Sequence, residues 1–73
     1  MGRKVIDSFT VGGTKAGVSM PGARLQQMLG TTIKIDIYNH VLFVPTDKGT
    51  VIAGTGDRIL LYDDDTLEVR NDD

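Results

Sequence analysis

Residues 13–30, GTKAGVSMPGARLQQMLG, decide the fold of this chain because they carry its clearest helix signals. Proline is favoured at the first position of a helix, where its missing N–H costs no hydrogen bond, so a helix is predicted to begin at Pro21. One buried helical face is indicated by the spacing of Leu25, Met28 and Leu29. Gly30 suits the left-handed residue that closes a helix. We therefore predict a short amphipathic helix over residues 21–29.

The residues before this proline predict a β-hairpin. Residues 4–11 predict a first strand with apolar side chains on one side, namely Val5, Phe9 and Val11. Gly12 and Gly13 then indicate a turn. Residues 16–20 can return as a second strand. Because a residue that precedes proline is disfavoured in the helical region, Met20 is expected to be extended.

After Gly30 the pattern alternates with a period of two over residues 32–38, which is the strongest strand signal in the chain. Asn39-His40 predicts a hairpin turn. The continuous apolar run Val41–Val44 is typical of a strand that is buried on both faces or lies at an interface, and Pro45 is expected to end it. Further strands are predicted over residues 50–53, 58–62 and 67–70, with a frayed tail over residues 71–73.

Together these elements predict a mainly β fold with one short helix in the order ββαββββ, which suits a small β-barrel. The 73 residues form a single domain over residues 1–73. A chain of this length buries only about 60% of the surface that it exposes when unfolded. It has no Cys for disulfide bonds. We therefore expect self-association, as a homodimer or a higher oligomer, to supply part of the stability.

The composition argues against catalysis and against metal binding. With no Cys and a single His, His40, neither a thiolate nor a histidine metal site can form. Ser8 and Ser19 would both need His40 as their base, and His40 lies in a predicted turn. The acidic stretch Asp63–Asp65 with Glu68 lacks the glycine of a calcium-binding loop. We predict a protein that is not an enzyme and holds no cofactor or metal.

The charges of the chain divide between its two halves. Residues 1–36 carry five basic and two acidic residues, a net charge of +3, while residues 37–73 carry three basic and eight acidic residues, a net charge of −5. This split favours an anion-binding front. The candidate DNA contacts are Lys15, Arg24, Arg3 and Lys4. No apolar run approaches the length of a membrane span and no signal-peptide block is present, so we expect a cytoplasmic protein without a membrane partner.

The region of about residues 5–45 resembles the AbrB/MazE-type swapped-hairpin DNA-binding family. The residues that carry the resemblance are Val18-Ser19-Met20-Pro21, Leu29-Gly30, and the hairpin formed by residues 33–37 and 41–44. The resemblance implies that two chains interleave their N-terminal hairpins into one dimeric barrel, which presents basic residues to duplex DNA. Of the family's basic positions, it assigns DNA contact to Lys15 and Arg24.

Two functions therefore stay open at the level of sequence. The first is a non-enzymatic DNA-binding regulator, antitoxin-like or transition-state-regulator-like, that acts as a homodimer. The alternative is a small oligomeric β-barrel binding module, such as a phage-type inhibitor or an Sm-like ring, that binds protein or RNA. The strands that follow the helix and the apolar run Val41–Val44 favour this alternative.

Overall fold

A computed structural model describes residues 2–71, which form two antiparallel three-stranded sheets and one helix. The elements are β1 (Val5–Thr10), α1 (Lys15–Leu29), β2 (Lys34–Asp36), β3 (Val41–Thr46), β4 (Gly49–Ala53), β5 (Asp57–Tyr62) and β6 (Leu67–Asn71). One sheet has the strand order β1-β5-β6 and the other β2-β3-β4. The prediction of a mainly β fold with one helix is confirmed. The predicted order ββαββββ is wrong, because only one strand precedes the helix.

The helix α1 begins at Lys15 rather than at Pro21, because Thr14 caps it. Thr14 is extended, with φ −126° and ψ 166°, and its side-chain oxygen accepts a hydrogen bond from the Gly17 N–H at 2.9 Å. A threonine in this position stabilises a helix start by satisfying an N–H that has no partner within the helix. The predicted strand over residues 16–20 is therefore wrong, since those residues form the first turns of α1.

Pro21 lies inside α1 because another N–H binds the carbonyl that it leaves free. In a regular helix the N–H of residue 21 would bind the Gly17 carbonyl, and proline has no N–H. Here the Gly12 N–H donates to the Gly17 carbonyl at 3.0 Å. The two glycines are so close that a Cβ on Gly17 would lie 2.8 Å from the Gly12 Cα. The loop after β1 thus replaces the hydrogen bond that the proline removes.

The helix ends at Gly30, as predicted. Gly30 is left-handed, with φ 67°, and its N–H donates to the Gln26 carbonyl at 2.8 Å. The buried face of α1 consists of Val18, Gly22 and Leu25. The prediction that Met28 belongs to that face is wrong: the earlier helix start centres the face on Gly22, and Met28 is 42% exposed. Within residues 2–71, no helix is long and apolar enough to cross a membrane.

The strand β2 is shorter than the predicted strand over residues 32–38, because Asp36 turns the chain. Its carboxylate accepts hydrogen bonds from the backbone N–H groups of Tyr38 and Asn39, at 3.0 and 3.1 Å, and from the Asn39 side chain at 2.8 Å. His40 then takes a positive φ of 56°. The predicted turn at Asn39-His40 is confirmed, and it leaves the Tyr38 side chain 88% exposed.

The strand β3 continues through Pro45, which was predicted to end it. Pairing with β2 reaches only as far as Phe43, so no strand on that side requires an N–H from Pro45. On the other side Pro45 lies opposite Thr50 of β4. The strand β6 extends to Asn71, which pairs with Asp57, so Asn71 is not frayed. The rest of the predicted tail, residues 72–73, lies outside the described residues.

The hydrophobic core lies between the two sheets and the helix. Its buried members are Val11, Val18, Leu25, Ile33, Leu42, Val44, Ala53, Ile59, Leu61 and Leu67. The strand β3 packs against β6, and α1 contacts both β1 and β2, so the helix extends from one sheet to the other. Gly22 permits this close packing, because a Cβ there would lie 2.6 Å from the Ile35 Cδ1. The arrangement leaves one side of α1 exposed beside β1.

Candidate protein-binding surface

The four cations predicted to contact DNA do not share one surface. Arg3 and Lys4 precede β1 and Lys15 follows it, so the strand separates them by about 20 Å at about 3.3 Å per residue. Lys15 and Arg24 are both on α1 but are about two and a half turns apart, which places them on opposite sides of the helix.

Arg3 is engaged in contacts within the fold. Its guanidinium carbon lies 4.1 Å from the centroid of the Tyr62 ring, and it donates a hydrogen bond to the Thr66 hydroxyl at 2.9 Å. The carboxylates of Asp47 and Glu68 lie 3.8 and 3.9 Å from its nitrogens. Arg3 thereby joins the N-terminal segment to the β3–β4 turn and to the β5–β6 hairpin.

Lys4 lies beside the acidic β5–β6 turn. Its backbone N–H donates to the Asp63 carboxylate at 3.3 Å, and its carbonyl accepts from the Asp63 N–H at 2.9 Å. In the same turn, hydrogen bonds from Thr66, first from its hydroxyl and then from its N–H, hold the pKa of Asp64 below its usual value. The carboxylates around Arg3 and Lys4 would oppose an approaching phosphate. DNA contact by the four cations stays a prediction.

A concave surface lies between β1 and α1, and we call it the α1–β1 groove. Its volume is about 380 Å³, and its lining residues are Asp7, Phe9, Thr10, Met20, Pro21 and Arg24. Phe9, Met20 and Pro21 supply apolar surface, while Asp7 and Arg24 supply one charge of each sign. The groove is shallow and open, a shape that suits contact with another protein surface.

The strand β1 forms one wall of the groove. Phe9 lies opposite Ile59 of β5, and its ring packs against the core. Asp7 follows the same alternation and lies on the same face as Phe9. One oxygen of the Asp7 carboxylate accepts a hydrogen bond from the Ser8 N–H at 2.8 Å. Within residues 2–71, β1 pairs with β5 alone, so its second edge has no partner strand.

The helix α1 forms the other wall and places two methionines in solvent. Met20, Arg24 and Met28 are each four residues apart, so they lie on one side of the helix. Met20 is 71% exposed and Met28 is 42% exposed. No ion pair within residues 2–71 involves Arg24. Methionine and arginine are enriched at protein interfaces, where the flexible thioether adapts to a partner's shape.

Two other surface features are weaker candidates. A cleft of about 300 Å³ between β4 and β6 is lined in part by Arg3 and Glu68, whose charges already face each other. On the outer face of the β2-β3-β4 sheet, the Lys34 ammonium lies 4.9 Å from the centroid of the Phe43 ring. Ile52 of the neighbouring strand is 58% exposed there. The cleft is more enclosed than the α1–β1 groove, but its charges already face each other. The second feature is the outer face of a sheet.

The groups considered for catalysis are held in local structure. The Ser19 hydroxyl donates to the Lys15 carbonyl at 2.9 Å within α1. His40 lies in the β2–β3 turn, and Ser8 lies on β1. Within the part of the chain that the structure describes, no group of three or more His, Asp or Glu side chains converges to hold a metal ion.

Most residues of the α1–β1 groove were not among the predicted site residues. Arg24 was predicted to contact DNA, and Asp7, Phe9 and Met20 were not predicted to bind anything. The signal was present in the spacing of Met20, Arg24 and Met28, which becomes a single helical stripe only when the helix begins near Thr14. A helix start at Pro21 leaves Met20 outside the helix and so removes the stripe.

Comparisons of this chain with protein-family models, with curated proteins and with solved structures found no match. The resemblance of about residues 5–45 to the AbrB/MazE-type family therefore stays a prediction. The function has to be inferred from the groove, the exposed methionines and the charges of the chain itself.

Proposed function

We propose that this protein is a non-enzymatic binding module that acts as a homodimer, and that the α1–β1 groove is its protein-binding surface. One observation carries the proposal: Met20 and Met28 are exposed on either side of Arg24, beside an apolar groove. Removal of such apolar surface from water is the main driving force of protein association. Adjacent exposed apolar side chains of this kind mark interaction sites on small soluble domains.

A barrel architecture is part of this proposal. The two sheets enclose one core, β3 packs against β6, and α1 extends from β1 to β2 across the remaining side. The swapped-hairpin form of a dimeric barrel needs a strand over residues 16–20, and these residues are helical in this chain. The homodimer proposed here therefore forms by contact between two complete folds, without exchange of hairpins.

A second candidate function is the homodimeric DNA-binding regulator that the AbrB/MazE resemblance implies. It is favoured by Lys15 and Arg24, because both are exposed on α1 and no ion pair within residues 2–71 involves either of them. A dimer would present two copies of each cation. The acidic groups around Arg3 and Lys4 limit any such surface to the helix side of the molecule.

Sedimentation velocity across a range of protein concentrations separates these two functions. Each concentration is measured alone and with a duplex DNA, at about 50 mM and about 200 mM salt. For the protein-binding module we expect a concentration-dependent dimer and no sedimentation with the DNA at either salt concentration. A protein that remains a monomer at every concentration would contradict the proposal.

The DNA-binding regulator gives a different result in the same experiment. It would sediment with the duplex at low salt and lose the duplex at high salt, because binding by cations releases counterions from the phosphates. In that case the double variant Lys15→Ala/Arg24→Ala should weaken binding without lowering the melting temperature. Lys48→Ala is the control and should leave DNA binding unchanged, since Lys48 lies between β3 and β4 and outside α1.

A further inference from the structure

We infer that two copies of this chain pack about a two-fold axis through the α1–β1 groove, with Asp7 of each copy against Arg24 of the other. The inference rests on the homodimer proposed above and adds the surface and the contacts. It identifies the partner at this groove as a second copy of the same chain.

The charges of the groove favour a second copy over an unrelated partner. In a two-fold dimer the same surface meets itself, so every residue that contacts a second residue is contacted by it in return. A surface with this symmetry needs charges of both signs, and the groove has Asp7 on its strand side and Arg24 on its helix side. Neither charge belongs to an ion pair within residues 2–71. Two reciprocal pairs would satisfy both charges in both copies.

The apolar residues of the groove have the same self-complementary arrangement. Met20, the most exposed of the groove's apolar side chains, projects from the helix side. Phe9 and Pro21 line the concave part. In the two-fold arrangement, Met20 of each copy enters the concavity of the other. Met28 lies on the same side of α1 and extends the apolar contact along the helix.

The size of the surface indicates a reversible dimer. A standard interface covers about 800 Å² on each partner, which is about one-sixth of the 4741 Å² that this chain exposes. The groove alone covers less than this area. The contact therefore has to continue along β1, where Val5 and Ile6 are 45% and 55% exposed. We therefore expect a dissociation constant in the micromolar range, which sedimentation at about 5–500 µM protein covers.

Charge reversal with mixing tests the inference. Asp7→Arg would place two arginines at each contact and Arg24→Asp two aspartates, so each variant alone should associate at least about tenfold more weakly than the natural chain. An equimolar mixture of the two variants should associate again. In the mixed dimer one contact joins the introduced arginine to the introduced aspartate, and the other joins the retained Arg24 to the retained Asp7. Lys15→Asp is the matched control: it changes the charge of α1 equally, but on the opposite side of the helix, and should leave association unchanged.

Mixing also distinguishes contacts between copies from contacts within one copy. An attraction between Asp7 and Arg24 of the same chain could be restored in the double variant, but it could not be restored by mixing two single variants. Circular dichroism of each variant establishes that it is folded. Independently of any substitution, the methyl signals of Met20 and Met28 in the natural chain should shift with protein concentration in NMR spectra.

Failure of the proposed homodimer and failure of the inferred interface give different results. A natural chain that stays monomeric would overturn the proposed homodimer and this inference with it. A natural chain that dimerises while both charge-reversal variants associate normally, or while the Met20 methyl signal is independent of concentration, would retain the homodimer and overturn the interface inferred here.

Discussion

Replacement of Gly17 by alanine tests the physical reason for the early helix start. A Cβ on Gly17 would lie 2.8 Å from the Gly12 Cα, 3.0 Å from the Gly12 carbonyl carbon and 3.1 Å from the Thr14 hydroxyl oxygen. The first two are backbone atoms, so no rotation of a side chain can relieve the contact. The substitution must therefore separate the loop after β1 from the first turn of α1 or displace the Thr14 cap.

The size of the effect follows from three contributions. Overpacking of a close contact costs about 1–3 kcal/mol, and a weakened threonine cap about 1 kcal/mol. Alanine is the better helix former by about 1 kcal/mol, which offsets part of this cost. We expect Gly17→Ala to lower the free energy of unfolding by about 2 kcal/mol. In a domain of this size that corresponds to a melting temperature lower by about 8–16 °C.

Gly13→Ala is the matched control, because it lies in the same loop but has space. A Cβ on Gly13 would lie 3.4 Å from the Thr55 Cγ2, an ordinary van der Waals contact. Since alanine restricts the unfolded chain, this variant should be equal to the natural chain or more stable by up to about 1 kcal/mol. Thermal and urea unfolding followed by circular dichroism measure both variants. If Gly17→Ala proves as stable as Gly13→Ala, the close contact between Gly12 and Gly17 and the reasoning built on it are wrong.

Two further predictions concern the charged groups of the fold. Arg3→Ala should lower the free energy of unfolding by about 1–2 kcal/mol in urea titrations, because it removes the Tyr62 ring contact, the Thr66 hydrogen bond and two partly exposed ion pairs. Lys4→Ala, whose hydrogen bonds come from the backbone, should change it by less than about 0.5 kcal/mol, and equal effects would contradict the role given to Arg3. Hydrogen bonds from Asn39 lower the pKa of Asp36 in the folded chain. The ionised Asp36 carboxylate should therefore stabilise the fold fully above the unfolded-state pKa of about 3.9. This contribution should be lost as the pH falls through the lower folded-state pKa. Melting temperatures measured between about pH 2.5 and 7 should show this loss, and a drop of equal size in Asp36→Asn would refute it.

The sequence predicts best those parts of the fold that a few neighbouring residues determine. Gly30 closes the helix because a left-handed position favours a residue without a Cβ, and it does so here with φ 67°. The turn at Asn39-His40 was placed correctly. Its extent was not, because the Asp36 carboxylate binds two backbone N–H groups beyond the strand and shortens β2. A carboxylate that caps a turn cannot be distinguished by alternation alone from one on the polar face of a strand.

The predicted helix start at Pro21 is wrong because it follows from two rules about neighbouring residues. The hydrogen bond that allows an earlier start comes from Gly12, which lies outside the helix. Proline is favoured at the first helical position, and the residue before proline disfavours the helical region. The first rule reflects the N–H that proline lacks, which leaves the carbonyl four residues earlier without a donor when proline lies inside a helix. The second reflects a steric clash between the proline ring and the preceding residue. In this fold the Gly12 N–H supplies the donor, at 3.0 Å from the Gly17 carbonyl, and that contact exists only because both residues are glycine. Sequence-local preferences therefore favoured a hairpin where the backbone contact produces a longer helix.

The wrong helix start is also the reason why the candidate binding surface was not predicted. With the helix extended to Lys15, its buried face is centred on Gly22, and Met20, Arg24 and Met28 are turned away from the core. Met20 and Met28 are 71% and 42% exposed, so they contribute little to the core of the single chain. Their exposure next to Phe9, Asp7 and the open edge of β1 is explained if a partner buries them. A partner with the same charges in the same places, a second copy of the chain, satisfies that requirement with the fewest additional assumptions.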